Sequence, residues 1–129
     1  MRALVVDDST TLQRLIELTL RSSFDVEIDF AESGEQALHH VVQQTYDLVF
    51  LDVTLPGMDG YKVCKAIKGD KKTRRTPVIM LTSRDSTFDK VRGTMAGVDV
   101  YLTKPLDRAH LLEAVRKCLP VPGMVTAMG

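Results

Sequence analysis

The chain has 129 residues, enough for one hydrophobic core and too few for two. Lys plus Arg and Asp plus Glu both total 17, so there is no net basic field to gather nucleic acid, and no direct nucleic-acid partner is expected. Cys64 and Cys118 lack zinc-ribbon or C-x-x-C spacing and read as reduced thiols, while no apolar stretch nears the roughly 20 residues that cross a bilayer.

The start, MRALVVDDS, becomes acidic too early for a signal peptide, so a cytoplasmic protein with no membrane partner is expected. In chain order, an apolar run at 4–6 precedes a helical stripe of Leu12, Leu15, Ile16 and Leu20. A second run, 26–30, leads through a possible capping box, Ser33 with Gln36, into Leu38, Val41 and Val42. The third, 48–51, is followed by Asp59-Gly60 and a helix carrying Val63 and Ile67. The segment KGDKKTRR, 68–75, has no interleaved aromatics and reads as a solvated loop. The run at 78–81 precedes Phe88, Val91 and Met95. After Gly97, the last run, 100–102, leads to Asp107, placed to cap a helix with Leu111, Leu112, Val115 and Leu119. Residues 1–119 read as one domain and 120–129 as a tail or truncated linker.

Five strand–helix units predict an α/β fold: a doubly wound, five-stranded parallel sheet covered on both faces. The flavodoxin-like order 2-1-3-4-5 follows by analogy. In such a sheet, ligands bind beyond the carboxyl ends of the strands, where the strand order reverses. The first strand ends in Asp7-Asp8, the third in Asp52, the fourth in Thr82 and the fifth in Lys104-Pro105. Each alone has a plain reading as a helix cap or a solvated strand end. Together they bring three carboxylates, a hydroxyl and an ammonium to one rim.

Clustered carboxylates need a cation, and hard oxygen ligands suit Mg²⁺. With the metal on Asp7 or Asp8 and one oxygen of Asp52, the other Asp52 oxygen is free to attack phosphorus, and no general base is needed. Lys104 and Thr82 are placed to share the phosphoryl charge. The pair His39-His40 has no accompanying ligands and reads as surface.

Through VVDDS at 5–9, LDVTLPGMDG at 51–60, MLTS at 80–83 and YLTKP at 101–105, the sequence resembles the receiver domain of bacterial response regulators over residues 2–119. Thr82 stands 30 residues after Asp52 and Lys104 a further 22, the spacing of single-domain chemotaxis-type regulators. The segment FDKVRGTMAGVDVYLTKPL resembles stand-alone regulators of pilus-driven motility. The resemblance implies a phosphorylation-activated switch with Asp52 as phosphoacceptor and Mg²⁺ held by Asp7, Asp8, Asp52 and the backbone carbonyl of Thr54. It implies contact of Lys104 with the phosphoryl group, a cis bond to Pro105, and a Thr82–Tyr101 switch pair that alters the face of the fourth helix, fifth strand and fifth helix. The implied donor is a histidine kinase or phosphotransfer protein, and the reader a downstream protein that the sequence does not identify. Thr54 and Arg84 depart from the commonest family pattern, and both are expected to set the lifetime of the phosphorylated state.

Two other classes compete. An Mg²⁺-dependent aspartyl-phosphate phosphatase would carry a second Asp two residues after the acceptor, where this chain has Thr54, so a self-modifying switch rather than a turnover enzyme is expected. A flavin module would carry a hydroxyl-rich phosphate loop after the first strand instead of two carboxylates.

Overall fold

The computed structural model describes residues 1–83, 94 and 96–119. The five apolar runs form β1 (Arg2–Val6), β2 (Glu27–Ala31), β3 (Leu48–Asp52), β4 (Val78–Thr82) and β5 (Val100–Thr103). All neighbours are parallel, as the alternating pattern predicted, and their order is the β2-β1-β3-β4-β5 expected by analogy. Central strands β3 and β4 are buried at every residue, which is why their sequences are continuous apolar runs rather than alternating ones.

Helices cover both faces. On one side α1 (Thr10–Ser23) and the C-terminal helix (Arg108–Cys118) pack Ile16, Leu20, Leu111 and Val115 against Val5, Phe50, Ile79 and Leu81. On the other, α2 (Gly34–Gln43) and α3 (Gly60–Gly69) pack Ala37, Val63, Cys64 and Ile67 against Leu4, Val49, Leu51 and Met80. Each fully buried Leu, Ile or Val in these layers contributes about 1.5–3 kcal/mol before ordering costs.

The helix starts follow local chemistry. Ser9, Ser33, Asp59 and Asp107 each occupy an N-cap and accept the backbone N–H three residues on. The box expected at Ser33 closes one residue earlier than its usual form: Gln36 Oε1 accepts from Glu32 N at 2.9 Å.

Some expectations need correction. Val42 does not join the buried stripe of α2; it lies about 100° round the helix from Val41 and is 79% exposed. The basic loop is not wholly solvated: Lys68 Nζ bonds Asp99 Oδ2 at 2.7 Å and Thr76 O at 2.8 Å, tying α3 to the strand starts. His39 is exposed, but His40 is half-buried, with Nδ1 3.3 Å from Tyr46 Oη. Both cysteines are free, and burial pushes each thiol up to about 11, so neither is a ready thiolate. The stripe Phe88, Val91 and Met95, the position of Arg84, and the segment 120–129 lie outside the described residues. No described helix is long and apolar enough to cross a membrane.

Candidate functional site

The ends of β1, β3, β4 and β5 meet at one rim because parallel strands in register deliver their last residues to the same edge. Val6 pairs with Leu51, so Asp7 follows directly beside Asp52, and Asp52 pairs with Leu81, one residue before Thr82. Oxygens of Asp7, Asp8 and Asp52 lie within 4.8 Å of one another. Asp7 is fully buried, Asp52 is nearly so, and Asp8 is exposed at the mouth.

Lys104 enters from the end of β5, where its N–H donates to Thr82 O at 2.7 Å and its bond to Pro105 is cis. Its Nζ lies 3.0 Å from Asp52 Oδ2 and 3.4 Å from Asp7 Oδ2. Asp52 Oδ1 accepts the N–H of Thr54 at 2.9 Å, and Asp7 Oδ1 that of Ser9 at 2.8 Å. The carboxylates are therefore fixed by the turns that follow their own strands.

Counted as three carboxylates and one ammonium the site carries a formal charge of −2, and two of the carboxylates are buried. The strain is visible at Asp7, whose pKa rises to about 6, chiefly through burial, with the charge of Asp52 adding to it and the Ser9 amide and Lys104 opposing. Burial pulls Lys104 down, but hydrogen bonding and charge from Asp52, then Asp7, outweigh it and raise its pKa. A divalent cation would balance the remaining charge. The donor set, all oxygen with one exposed member, suits a hard ion that keeps some of its water.

A stability consequence follows for the metal-free protein. Asp7 keeps its proton to about pH 6 when folded but loses it near 3.8 when unfolded, so the folded state binds more protons between these values. Stability from this group is full below pH 3.8 and falls as pH rises through 6, by up to about 3 kcal/mol. Urea midpoints of the wild type relative to Asp7→Asn should decline across that window. A difference that stays flat or rises with pH would contradict this account.

Thr82 is buried at the end of β4. Tyr101, half-buried in β5, turns toward α3, and its hydroxyl donates to that of Tyr61 at 3.4 Å. This partner of the expected switch aromatic carried no sequence signal beyond its place in the first turn of α3. Thr54 is exposed beside Asp52. The structure thus brings Asp7, Asp8, Asp52 and Lys104 together, with Thr82 at the same rim and Tyr101 two residues before the β5 end.

A doubly wound sheet with this acidic rim and cis-linked lysine is the arrangement of a phosphorylation-activated receiver, and the chain belongs to the response regulator receiver domain family, matching it over residues 3–116. Among its relatives, Protein PilG of Pseudomonas aeruginosa is 38% identical over 120 residues, covering 93% of this chain and 88% of PilG. Response regulator PleD of Caulobacter vibrioides is 39% identical over 115 residues, 89% of this chain but only 25% of PleD. Chemotaxis response regulator CheY4 of Vibrio cholerae superposes with a TM-score of 0.86 at 30% identity, covering 92% of this chain and 98% of CheY4. The receiver domain of sensor histidine kinase PA1611 from Pseudomonas aeruginosa, solved with magnesium in its active-site cleft, gives a TM-score of 0.80 at 33% identity, covering 91% and 96% of the two chains. The protein is a two-component receiver, and the phosphatase reading is not favoured.

Proposed function

We propose that this receiver takes its phosphoryl group on Asp52 from a phosphohistidine of a histidine kinase or phosphotransfer protein, with Mg²⁺ held by Asp7, Asp8, Asp52 and the Thr54 carbonyl. The observation that carries this reading is the 3.0 Å contact of Lys104 Nζ with the Asp52 carboxylate inside a site of formal charge −2. A carboxylate oxygen of Asp52 attacks phosphorus. The new P–O bond forms as the P–N bond breaks, and its electron pair leaves with the imidazole. Bound Mg²⁺ supplies neutralisation of the phosphoryl oxygens.

The chain's own residues do the rest. Lys104, already aimed at Asp52, donates to an incoming phosphoryl oxygen as that carboxylate loses its full charge. The Thr54 amide fixes the nucleophile's plane. Thr82, at the adjoining strand end, hydrogen-bonds a phosphoryl oxygen, and Tyr101 leaves its Tyr61 contact to fill the space behind it. Output passes through the face of β5 and the C-terminal helix, where Tyr101, Lys104, Pro105, His110, Glu113 and Lys117 border a groove of about 460 Å³. The reader there is a downstream protein, in the cytoplasm, with neither nucleic acid nor membrane engaged directly. Thr54 in place of a second Asp supplies no general acid for ester turnover, which supports a switch that modifies itself rather than a turnover enzyme.

Acetyl phosphate with Mg²⁺ should add one phosphoryl group by intact mass, and excess EDTA should prevent it. Incorporation at the same rate without metal, or at several residues, would defeat the proposal.

A further inference from the structure

At the opposite end of the sheet lies a feature the switch does not use. The segment 68–75 carries five basic residues against one acid, Asp70. Lys68 is consumed by Asp99, and Asp70 Oδ1 accepts the N–H of Lys72 at 2.8 Å. Lys71, Lys72, Arg74 and Arg75 remain exposed, and among the described residues none has a carboxylate within ion-pair distance. In a chain of zero net charge this is a local excess whose members repel one another.

The patch borders a concavity. Two grooves, of about 120 and 400 Å³, share Thr45, Tyr46, Lys72 and Thr76 and run from the end of α2 to the end of the C-terminal helix. Val42 stands at one end, one of two large apolar side chains that the described residues leave well exposed. Arg75 lines the other end beside Leu119. Asp47, the acid in the groove, is held by the N–H of Arg2 at 2.8 Å.

We propose that this groove is a docking site for an extended acidic segment of a partner protein, its carboxylates meeting Lys72 and Arg75 and an apolar side chain meeting Val42. Charge complementarity selects an anionic occupant. The concavity suits a chain rather than a flat lipid surface. No Phe or Trp lines it, and its one aromatic, Tyr46, is buried with its hydroxyl on Asp29 at 2.6 Å, leaving no stacking platform for bases. The groove lies the length of β4, about 15 Å, from Asp52, so docking there is independent of the phosphorylation state. Such a site would tether the receiver while its other end switches.

The test is fluorescence polarisation with a labelled twelve-residue peptide carrying alternate Glu residues and a central Leu, against the same peptide with Gln for Glu. The Glu peptide should bind, the Gln peptide at least about tenfold more weakly, and Lys72→Glu/Arg75→Glu should lose at least about tenfold. Val42→Ser should lose about threefold through its apolar contact, while Asp52→Asn should bind as the wild type does. Should the charge-reversed protein not melt like the wild type, Lys72→Gln/Arg75→Gln serves in its place. Equal binding of both peptides, or no loss in the double variant, overturns the proposal. So does tighter binding of an oligothymidine or of phosphatidylglycerol vesicles with the same dependence on Lys72 and Arg75.

Discussion

Asp52→Asn is expected to abolish phosphoryl incorporation completely while preserving the fold. Three carboxylates share the rim, so the choice among them needs a reason. Asp7 has a side chain that is 0% exposed, so no phosphorus can reach it in line, whereas Asp52 keeps 8% of its side chain open. Asp8 is reachable, but the ammonium of Lys104 lies on Asp52 and Asp7. Asp52 alone combines access with the cation.

The amide replaces the carboxylate without changing its shape, and its oxygen still accepts the Thr54 N–H. The formal charge falls from −2 to −1, and Asp7, relieved of Asp52's repulsion, should titrate lower. Metal affinity should drop by about tenfold or more, since one charged ligand is lost. Intact mass after acetyl phosphate and a Mg²⁺ titration read the two effects separately. Phosphoryl mass on the Asn variant would move the acceptor to another residue and remove the basis of the proposed chemistry.

What could be read in the sequence depended on how far each feature is encoded locally. The strands and their ends were legible because apolar runs bounded by turn residues mark parallel strands; the sheet order came by analogy, and register then dictates which residues share the rim. Asp7, Asp52, Thr82 and Lys104 could be placed at one rim for that reason. Val42 was misassigned because a three-residue stripe in a short helix cannot fix the edge of the buried face; the sheet decides it. Lys68 and Asp99 are 31 residues apart, and nothing in their local context marks an ion pair. The same holds for Tyr61 with Tyr101, 40 residues apart, and for the network joining His40, Tyr46 and Asp29. These contacts exist only once helices have been placed on strands.

Gly60 gives the sharpest case, and Gly60→Ala is expected to damage both stability and site. Its sequence context, Asp-Gly before a helix, marks only a turn. In the structure its N–H donates to Val53 O at 2.8 Å, drawing the first turn of α3 onto the end of β3. A Cβ there would stand 2.1 Å from Asp52 O and 2.9 Å from both Asp52 C and Val53 Cα. All three atoms are backbone, so no side chain can rotate away. Either α3 lifts, opening the layer beneath Val63 and Ile67, or the acceptor strand end shifts.

Overpacking of this kind costs about 3 kcal/mol, a fall in Tm of roughly 10 °C for a chain of this size. Phosphoryl transfer should suffer beyond the loss of folded protein, because displacement of Asp52 by even an ångström breaks its alignment with Lys104. Gly69→Ala is the internal control. Its Cβ would meet nothing within 4 Å, so the same change at the other end of the same helix should leave Tm unchanged or slightly raised. Thermal melts and acetyl-phosphate labelling at a temperature where both variants are folded separate the two contributions. If Gly60→Ala melted within a degree or two of Gly69→Ala, the tight approach of α3 to the acceptor strand would not be what holds Asp52 in place.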